Sequence, residues 1–430
     1  MTRILCAGDL HLGRRSSRLP EGADGRAHSA AAAWNALVDH AIRERVDLVA
    51  LSGDLVDRAN RYFEAFGPLE RGLRRLDEAH IHVVAVAGNH DFDVLPKLAS
   101  SFGKRFHLLG AGGRWQAVTM PGSSGPALHI VGWSFPEDGN GHVRASPMAG
   151  FPALPADGVP VLGLLHADLD QPQSPYAPVR SDELRATPVS FWLLGHVHGP
   201  RLHPQPGGAP LLYPGSPQAL DPGEGGAHGA WMLELAPGRL PSVRQVPLSS
   251  VRYDVVEVDV TDVSDPDLLD RRLAEAVHAH VQRVVDEGCG PLRHLGCRVR
   301  VTGRTPLHHT LERRLRERAT ELDPESGDVR ARVERIEVAT RPAADLDALA
   351  LTPDAPGVLA RLVLGLDSGR LDPGQERLVA ELSARADEVR RATPYQLLAD
   401  PVPPSDALHA LARRQALLLL DTLLAQKEAA

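Results

Sequence analysis

Seven side chains supply the oxygen and nitrogen donors that two neighbouring divalent cations require: Asp9, His11, Asp54, Asn89, His166, His196 and His198. They arrive in five short motifs: Asp9-Leu10-His11, Gly53-Asp54 with Asp57, Gly88-Asn89-His90-Asp91, His166, and Gly195-His196-Val197-His198. Two cations held side by side need a bridging carboxylate, and Asp54 is the natural choice. One cation then takes Asp9, His11 and His198; the other takes Asn89, His166 and His196. Carboxylate, amide and imidazole donors together suit Mn²⁺, Fe²⁺ or Zn²⁺ better than Mg²⁺ or Ca²⁺, which prefer oxygen throughout. Mn²⁺ is the first expectation, with Mg²⁺, Fe²⁺ or Zn²⁺ as alternatives. No thiolate takes part, which counts against a structural zinc site. Two cations about 3.5–4 Å apart lower the pKa of a bridging water and clamp phosphoryl oxygens during in-line attack. The chemistry is phosphoester hydrolysis.

His90 adjoins a ligand but has a different task. It can stabilise developing charge or protonate the leaving oxygen, and Asp57 can orient it by a hydrogen bond. A lone strand-terminal Asp or a His-x-His pair is common without function. Five such motifs in order are not, and Asn89 is one of only four asparagines in the chain. His166, within Leu165-His166-Ala167-Asp168, is the least specific of the set.

The elements between the motifs explain how they converge. Residues 3–8, 47–52 and 82–87 are short apolar runs, each leading into a motif. Between them, Trp34, Leu37, Val38 and Ala41 share one helical face, as do Phe66, Leu69, Leu73 and Leu76. This β-α-β-α-β order predicts a parallel sheet with right-handed crossovers, whose strand ends gather ligands at one edge. From 128 to 235 the pattern changes to strands and Pro/Gly-rich loops, with strands expected at 128–134, 159–165, 191–195, 210–213 and 230–235. A second sheet packed on the first, with helices outside, is the simplest assembly. The fold class is therefore α/β, and α+β over the whole chain.

Three domains are expected: 1–247, carrying the dinuclear site; 248–340, a smaller α+β unit; and 341–430, a helical tail. The middle unit reads as strand 251–260, helix 266–287, strand 297–302, helix 307–322 and strand 332–339. In the tail, Leu359, Leu362, Val363 and Leu366 form one stripe, and Leu408, Leu411, Leu418 and Leu419 belong to another. Proline-bearing linkers are expected at 352–356 and 400–404.

Composition bounds the rest. The chain has 430 residues, 43% of them hydrophobic, so more than one core is expected. The best apolar run, 416–425, is too short for a membrane span and carries Asp421. The Met-Thr-Arg start leads straight into a strand, the pattern of neither a signal nor a transit peptide. Cys6, Cys289 and Cys297 show no metal or redox spacing and read as reduced thiols of a cytoplasmic protein. The net charge of −8 does not advertise a polyanion-binding surface. Local clusters exist nonetheless: Arg14, Arg15 and Arg18 after the first motif; Arg58 after Asp57; Arg71, Arg74 and Arg75; and Arg313, Arg314, Arg316 and Arg318. Arg14, Arg15 and Arg58 are best placed to meet substrate phosphate.

The motif set resembles that of the calcineurin-like metallophosphoesterases over residues 3 to about 235. Gly8-Asp9-Leu10-His11-Leu12-Gly13 is similar to the SbcD-type exonucleases. Protein phosphatases of the superfamily place Gly directly after the first His and read Gly-Asn-His-Glu, where this chain has Leu12 and Asp91. Asp57-Arg58, the stretch Asn60-Arg61-Tyr62-Phe63-Glu64-Ala65 and Tyr176-Ala177-Pro178 look closer to the YhaO-like branch. Tyr213-Pro214-Gly215-Ser216-Pro217 is similar to the segment that closes the SbcD catalytic domain.

The resemblance implies a four-layer αββα core, a DNA-capping domain at 248–340 and a Mn²⁺-dependent nuclease acting at DNA breaks. It further implies a homodimer, an SbcC-like coiled-coil ATPase partner bound by the tail, and no membrane. His90 carries over as the catalytic histidine. Some relatives have His where this chain has Asp57, so one catalytic histidine carries over and not two. Two other readings stand beside the nuclease. One is a phosphodiesterase or phosphatase acting on a small or protein-borne ester. The other is a non-catalytic scaffold that recruits an ATPase.

Overall fold

Alternation along three short strands decides the layering. The computed structural model describes all residues except 20–21, 60–63, 123–124, 138–139, 205–207, 262, 289, 319–324, 327, 344, 392–404 and 429–430. Strands β1 (Thr2–Ala7), β2 (Leu48–Leu51) and β3 (His82–Ala85) bury side chains on both faces. Leu5, Ala7, Val49, Leu51, Val83 and Ala85 enter one core, while Ile4, Cys6, Leu48, Ala50 and Val84 enter another. Successive side chains of a strand point to opposite faces, so two apolar sets demand a layer on each side.

Helices α1 (Ala30–Glu44) and α2 (Phe66–Glu78) cover the first face. The Ser29 side chain accepts the Ala32 N–H to start α1, and Arg45 ends it in the left-handed conformation. Trp34, Leu37, Val38 and Ala41 are buried along α1, and Leu69, Leu73 and Leu76 along α2, as helical periodicity requires. The Trp34 indole donates to the Pro68 carbonyl at 3.0 Å and lies against Gly72, where a Cβ would come within 2.1 Å of Nε1.

Nine further strands complete two sheets among the described residues: β4 (Phe106–Leu108), β5 (Gln116–Gly122), β6 (Gly125–Trp133), β7 (Val161–His166), β8 (Phe191–Gly195), β9 (Arg201–His203), β10 (Leu211–Tyr213), β11 (Gly229–Leu235) and β12 (Ser242–Pro247). The first sheet runs β12-β11-β1-β2-β3-β4, parallel from β1 to β4. The second runs β5-β6-β7-β8-β10-β9, parallel from β6 to β10. Leu128, Ile130, Leu162, Leu164, Phe191 and Leu193 meet the second face of the first sheet. The outer side of the second sheet buries Trp133, Leu165, Trp192 and Leu194 beneath loops, a 3-10 turn (Pro147–Gly150) and a short helix (Ser181–Arg185). The fourth layer is thus thin.

The chain divides into two compact units, Met1–Val255 with 281–297 and 323–334, and Val256–His280 with 298–322 and 335–430. Beyond residue 250, strands Val251–Asp259, His294–Thr302, Val329–Val338 and Glu325–Ser326 form a four-stranded sheet in that order. Helix Pro266–Asp286 buries Leu269, Leu273, Val277 and Val281 at a spacing of four. The later helices are Leu346–Ala350, Ala355–Ser368, Pro373–Arg391 and Ser405–Glu428. Asn60 to Phe63, Cys289, the end of the helix expected at 307–322 and the linker at 400–404 lie outside the described residues.

One stripe in the tail is corrected. The face that packs on Ala360, Leu362 and Val363 is Ala416, Leu417 and Leu420, whereas Leu411 and Leu419 are 48% and 52% exposed. Four consecutive leucines, Leu417 to Leu420, populate every side of a helix, so periodicity alone cannot phase them. Asp421 lies on the buried side, 3.0 Å from His308 Nε2. Among the described residues no helix is long and apolar enough to cross a membrane.

Candidate metal centre

Each motif lies at the carboxyl end of a parallel strand. Asp9 follows β1, Asp54 follows β2, Asn89 follows β3, His166 closes β7 and His196 follows β8. The facing sheets therefore bring all seven predicted donors together. Asp9, His11 and His198 form one group whose candidate ligand atoms lie within 4.8 Å of one another, and Asp9, Asp54 and His166 form a second. Asp54 Oδ2 stands 3.8 Å from His11 Nε2 and 3.4 Å from His166 Nε2, so this one carboxylate reaches both sets. Asp9, His11, Asp54 and His166 are all at most 2% exposed.

Backbone geometry adapts to this convergence. Asp9, His11, Asp54 and His196 all have positive φ, at 50°, 45°, 51° and 101°. Each such residue costs on the order of 1–3 kcal/mol and persists only where its surroundings over-determine it. The surroundings are specific: Asp9 N–H donates to Gly53 O, His11 N–H to Asp54 O, and His196 N–H to Asp9 Oδ1. Buried Asp91 ties two loops, accepting from Gly88 N–H at 2.8 Å and Leu55 N–H at 2.7 Å. Burial, and then the nearby Asp54 charge, push its pKa up to about 7. Gly88 and Gly195 are required by close approach: a Cβ at Gly88 would sit 2.2 Å from Asp54 Oδ1, and one at Gly195 would sit 2.0 Å from Ser52 O.

The hydrogen-bond pattern sets the imidazole tautomers. His166 Nδ1 lies 3.0 Å from the Ser52 carbonyl, which can only accept, so Nδ1 carries the proton and Nε2 presents a lone pair. That lone pair faces Asn89 Oδ1 at 2.9 Å, another acceptor. Likewise His198 Nδ1 donates to Glu224 Oε1 at 2.6 Å, and its Nε2 faces His11 Nε2 at 3.0 Å. The His166 lone pair and the Asn89 oxygen, two acceptors beside buried carboxylates, repel unless a cation lies between them. The donor set therefore fits divalent cations.

His196 offers Nδ1 to Asn89 Oδ1 at 3.2 Å, while its Nε2 faces Asp168 Oδ2 at 3.5 Å. Burial lowers its pKa to about 4, which keeps the ring neutral. Tyr176 packs on this ring with centroids 4.6 Å apart. Asp57 Oδ1 stands between His11 Nδ1 at 3.4 Å and His90 Nδ1 at 3.6 Å. The His90 side chain is 33% exposed, at the mouth of an otherwise buried cluster. Burial opposes a charged His90, but the carboxylates of Asp57, Asp54 and Asp91 outweigh it and raise its pKa.

Of the predicted phosphate contacts, Arg14 is half-buried, whereas Arg15 and Arg58 are exposed. Arg14 follows His11 closely, its N–H donating to the His11 carbonyl. Arg58 N–H lies 3.5 Å from His90 Nδ1.

The sequence assigns no role to Glu224, which lies outside every motif, or to Asp168, which closes the weakly specific Leu165-His166-Ala167-Asp168 stretch. Glu224 comes to His198 from a chain segment 26 residues away and also accepts from Leu220 N–H at 2.7 Å and Ser216 Oγ at 3.1 Å. Burial raises its pKa, but the bond from His198 and the other donors prevail and bring it down to about 2. A carboxylate that orients a metal-binding imidazole typically contributes about 10–100-fold in metal affinity. Glu224→Gln is expected to weaken binding of divalent metal by that factor while leaving the fold intact. Calorimetric titration with Mn²⁺ checks this, and wild-type affinity would remove Glu224 from the site.

The calcineurin-like phosphoesterase family model matches residues 2–200, and that of the metallophosphoesterase YhaO middle domain matches residues 253–341. Among curated proteins, the chain is 29% identical over 286 residues to a Bacillus subtilis protein named "Uncharacterized metallophosphoesterase YhaO". That alignment covers 60% of this chain and 63% of the relative, so the chain spans less than two thirds of that protein's length. It is 24% identical over 303 residues to the DNA double-strand break repair protein Mre11 of Aeropyrum pernix, covering 69% of this chain and 73% of that one. Solved structures similar to it include a dimetal phosphatase from Danio rerio, at 15% identity and a TM-score of 0.36 over 56% of this chain and 98% of that one. With the five motifs converged on one buried cluster and these matches on either side of residue 250, residues 2–200 form a calcineurin-like phosphoesterase domain, and the chain is similar to YhaO.

Proposed function

We propose that this protein is a metal-dependent nuclease that hydrolyses phosphodiester bonds of DNA during break repair. The observation that carries the reading is the seven-donor cluster with His90 at its open mouth. Its substrate class draws on the likeness to the DNA double-strand break repair protein Mre11. Two divalent cations, Mn²⁺ foremost, would be held by Asp9, His11 and His198 on one side and Asn89, His166 and His196 on the other, with Asp54 shared. When bound, they supply an activated water and neutralise phosphoryl charge.

The protein's own groups do the rest. Ser52 O, Glu224 and Asp168 aim three imidazoles inward. Asp57 holds the His90 ring, leaving Nε2 to meet the phosphate and to stabilise or protonate the leaving oxygen. Arg14, Arg15 and Arg58 are the nearest cationic side chains in sequence to the first two motifs. The same reading assigns DNA capping to 248–340, and capture of an SbcC-like coiled-coil ATPase by a homodimer to 341–430, in the cytoplasm. Leu411 and Leu419, exposed on helix Ser405–Glu428, support a helical partner for the tail.

A second reading, a phosphodiesterase for small or protein-borne esters, is favoured by the net charge of −8. A Mn²⁺-dependent digestion panel separates the two. Linear duplex, single strands and hairpins are compared with p-nitrophenyl phosphoesters. Cleavage of DNA is expected; cleavage of the small esters alone would replace the first reading with the second.

A further inference from the structure

Gly13, Arg14, Arg15, Arg26, Glu64 and Arg71 are among the residues that line an open cleft of about 500 Å³. Four guanidinium groups against one carboxylate make it cationic, within a chain whose net charge is −8. Nearby arginines are differently employed: Arg75 binds Asp39 at 2.5 Å and Arg105 binds Asp77 at 2.9 Å. In the cleft only Arg15 has an acidic partner among the described residues, Glu64 at 3.7 Å, with both side chains about half exposed.

Position matters as much as charge. The cleft begins at Gly13, two residues after His11, so its first Cα lies within about 8 Å of that of a metal-set residue by chain length alone. Arg14 is anchored there by its N–H bond to His11 O. Guanidinium groups bind phosphate oxygens through paired, charge-assisted hydrogen bonds. We infer that this cleft holds the phosphates flanking the scissile bond, so that a nucleic-acid strand runs from the metal centre across Arg14 and Arg15 to Arg26 and Arg71. The inference rests on the nuclease reading and adds the path of the strand.

Arg26 and Arg71 lie outside the metal set and test this path. The full chain carrying Arg26→Ala and Arg71→Ala, singly and together, is compared with wild type. Binding of oligonucleotides of increasing length is measured across a salt series with Mn²⁺ replaced by Ca²⁺, alongside hydrolysis of bis(p-nitrophenyl) phosphate with Mn²⁺. The slope of log K against log salt should become shallower by about 0.7–0.9 for each phosphate contact removed. Wild-type affinity should rise with oligonucleotide length, and the small ester should be hydrolysed equally by all forms. A wild type that binds and cuts DNA, with variants of equal slope and affinity, overturns the cleft and leaves the nuclease reading standing. A mononucleotide bound as tightly as a long oligonucleotide overturns the strand path as well. A wild type that hydrolyses the ester but neither binds nor cuts DNA overturns the nuclease reading, and this inference with it.

Discussion

Asp54→Ala should abolish phosphoester hydrolysis. Asp54 is 2% exposed, its Oδ2 lies between His11 Nε2 and His166 Nε2, and its Oδ1 accepts the His90 N–H at 2.8 Å. The alanine variant removes the carboxylate whose Oδ2 faces both imidazoles, leaving Asp9 as the one remaining described carboxylate common to the two ligand groups. Loss of a single preorganised electrostatic group commonly costs about 10²–10³-fold in rate. Loss of the shared ligand should exceed that, because the nucleophile and the phosphate clamp disappear together. Metal analysis of the dialysed, Mn²⁺-loaded variant should find fewer than two equivalents. Retained activity with a single equivalent would end the dinuclear assignment.

His90→Gln should behave in the opposite way, keeping its metal and losing its rate. The main-chain bond from residue 90 to Asp54 survives the substitution, so the bridging carboxylate stays in place. What disappears is a titratable ring at the mouth of the site, held by Asp57 at 3.6 Å. General acid–base assistance contributes roughly 10²–10⁴-fold, and kcat should fall within that range. Metal content measured beside kcat decides the matter. His11, Asp57 and His90 also have candidate ligand atoms within 4.8 Å of one another. A variant that lost metal would therefore make His90 a ligand and Asp57 its companion.

Much of this architecture is legible in the sequence. Strands at 128–134, 159–165, 191–195, 210–213 and 230–235 correspond to β6, β7, β8, β10 and β11, because central strands buried on both faces leave an apolar run. Strands β4, β5, β9 and β12 leave no such run. They are the edge strands of the two sheets, and three of the seven residues of β5, for example, are exposed threonine, alanine or glutamine. Edge strands are kept short and polar, which removes the signal that would reveal them. In the tail, the run Leu417 to Leu420 hid the phase that packing against Val363 and Leu362 selects.

The site divides along a similar line. The sequence by itself determined which side chains gather, because parallel strands deliver their carboxyl ends to one edge and each motif directly follows a strand. It determined the class of chemistry as well, since those donor types suit divalent cations and phosphate esters. Only the tertiary structure decided how the donors are aimed. Ser52 O, Glu224 and Asp168 set the faces of three imidazoles, and they come from segments 114, 26 and 28 residues distant. Only the fold, too, assembled Arg14, Arg15, Arg26 and Arg71 into one cleft. Residue type and strand order are local information, whereas orientation and charge clustering depend on contacts between segments that no local pattern records.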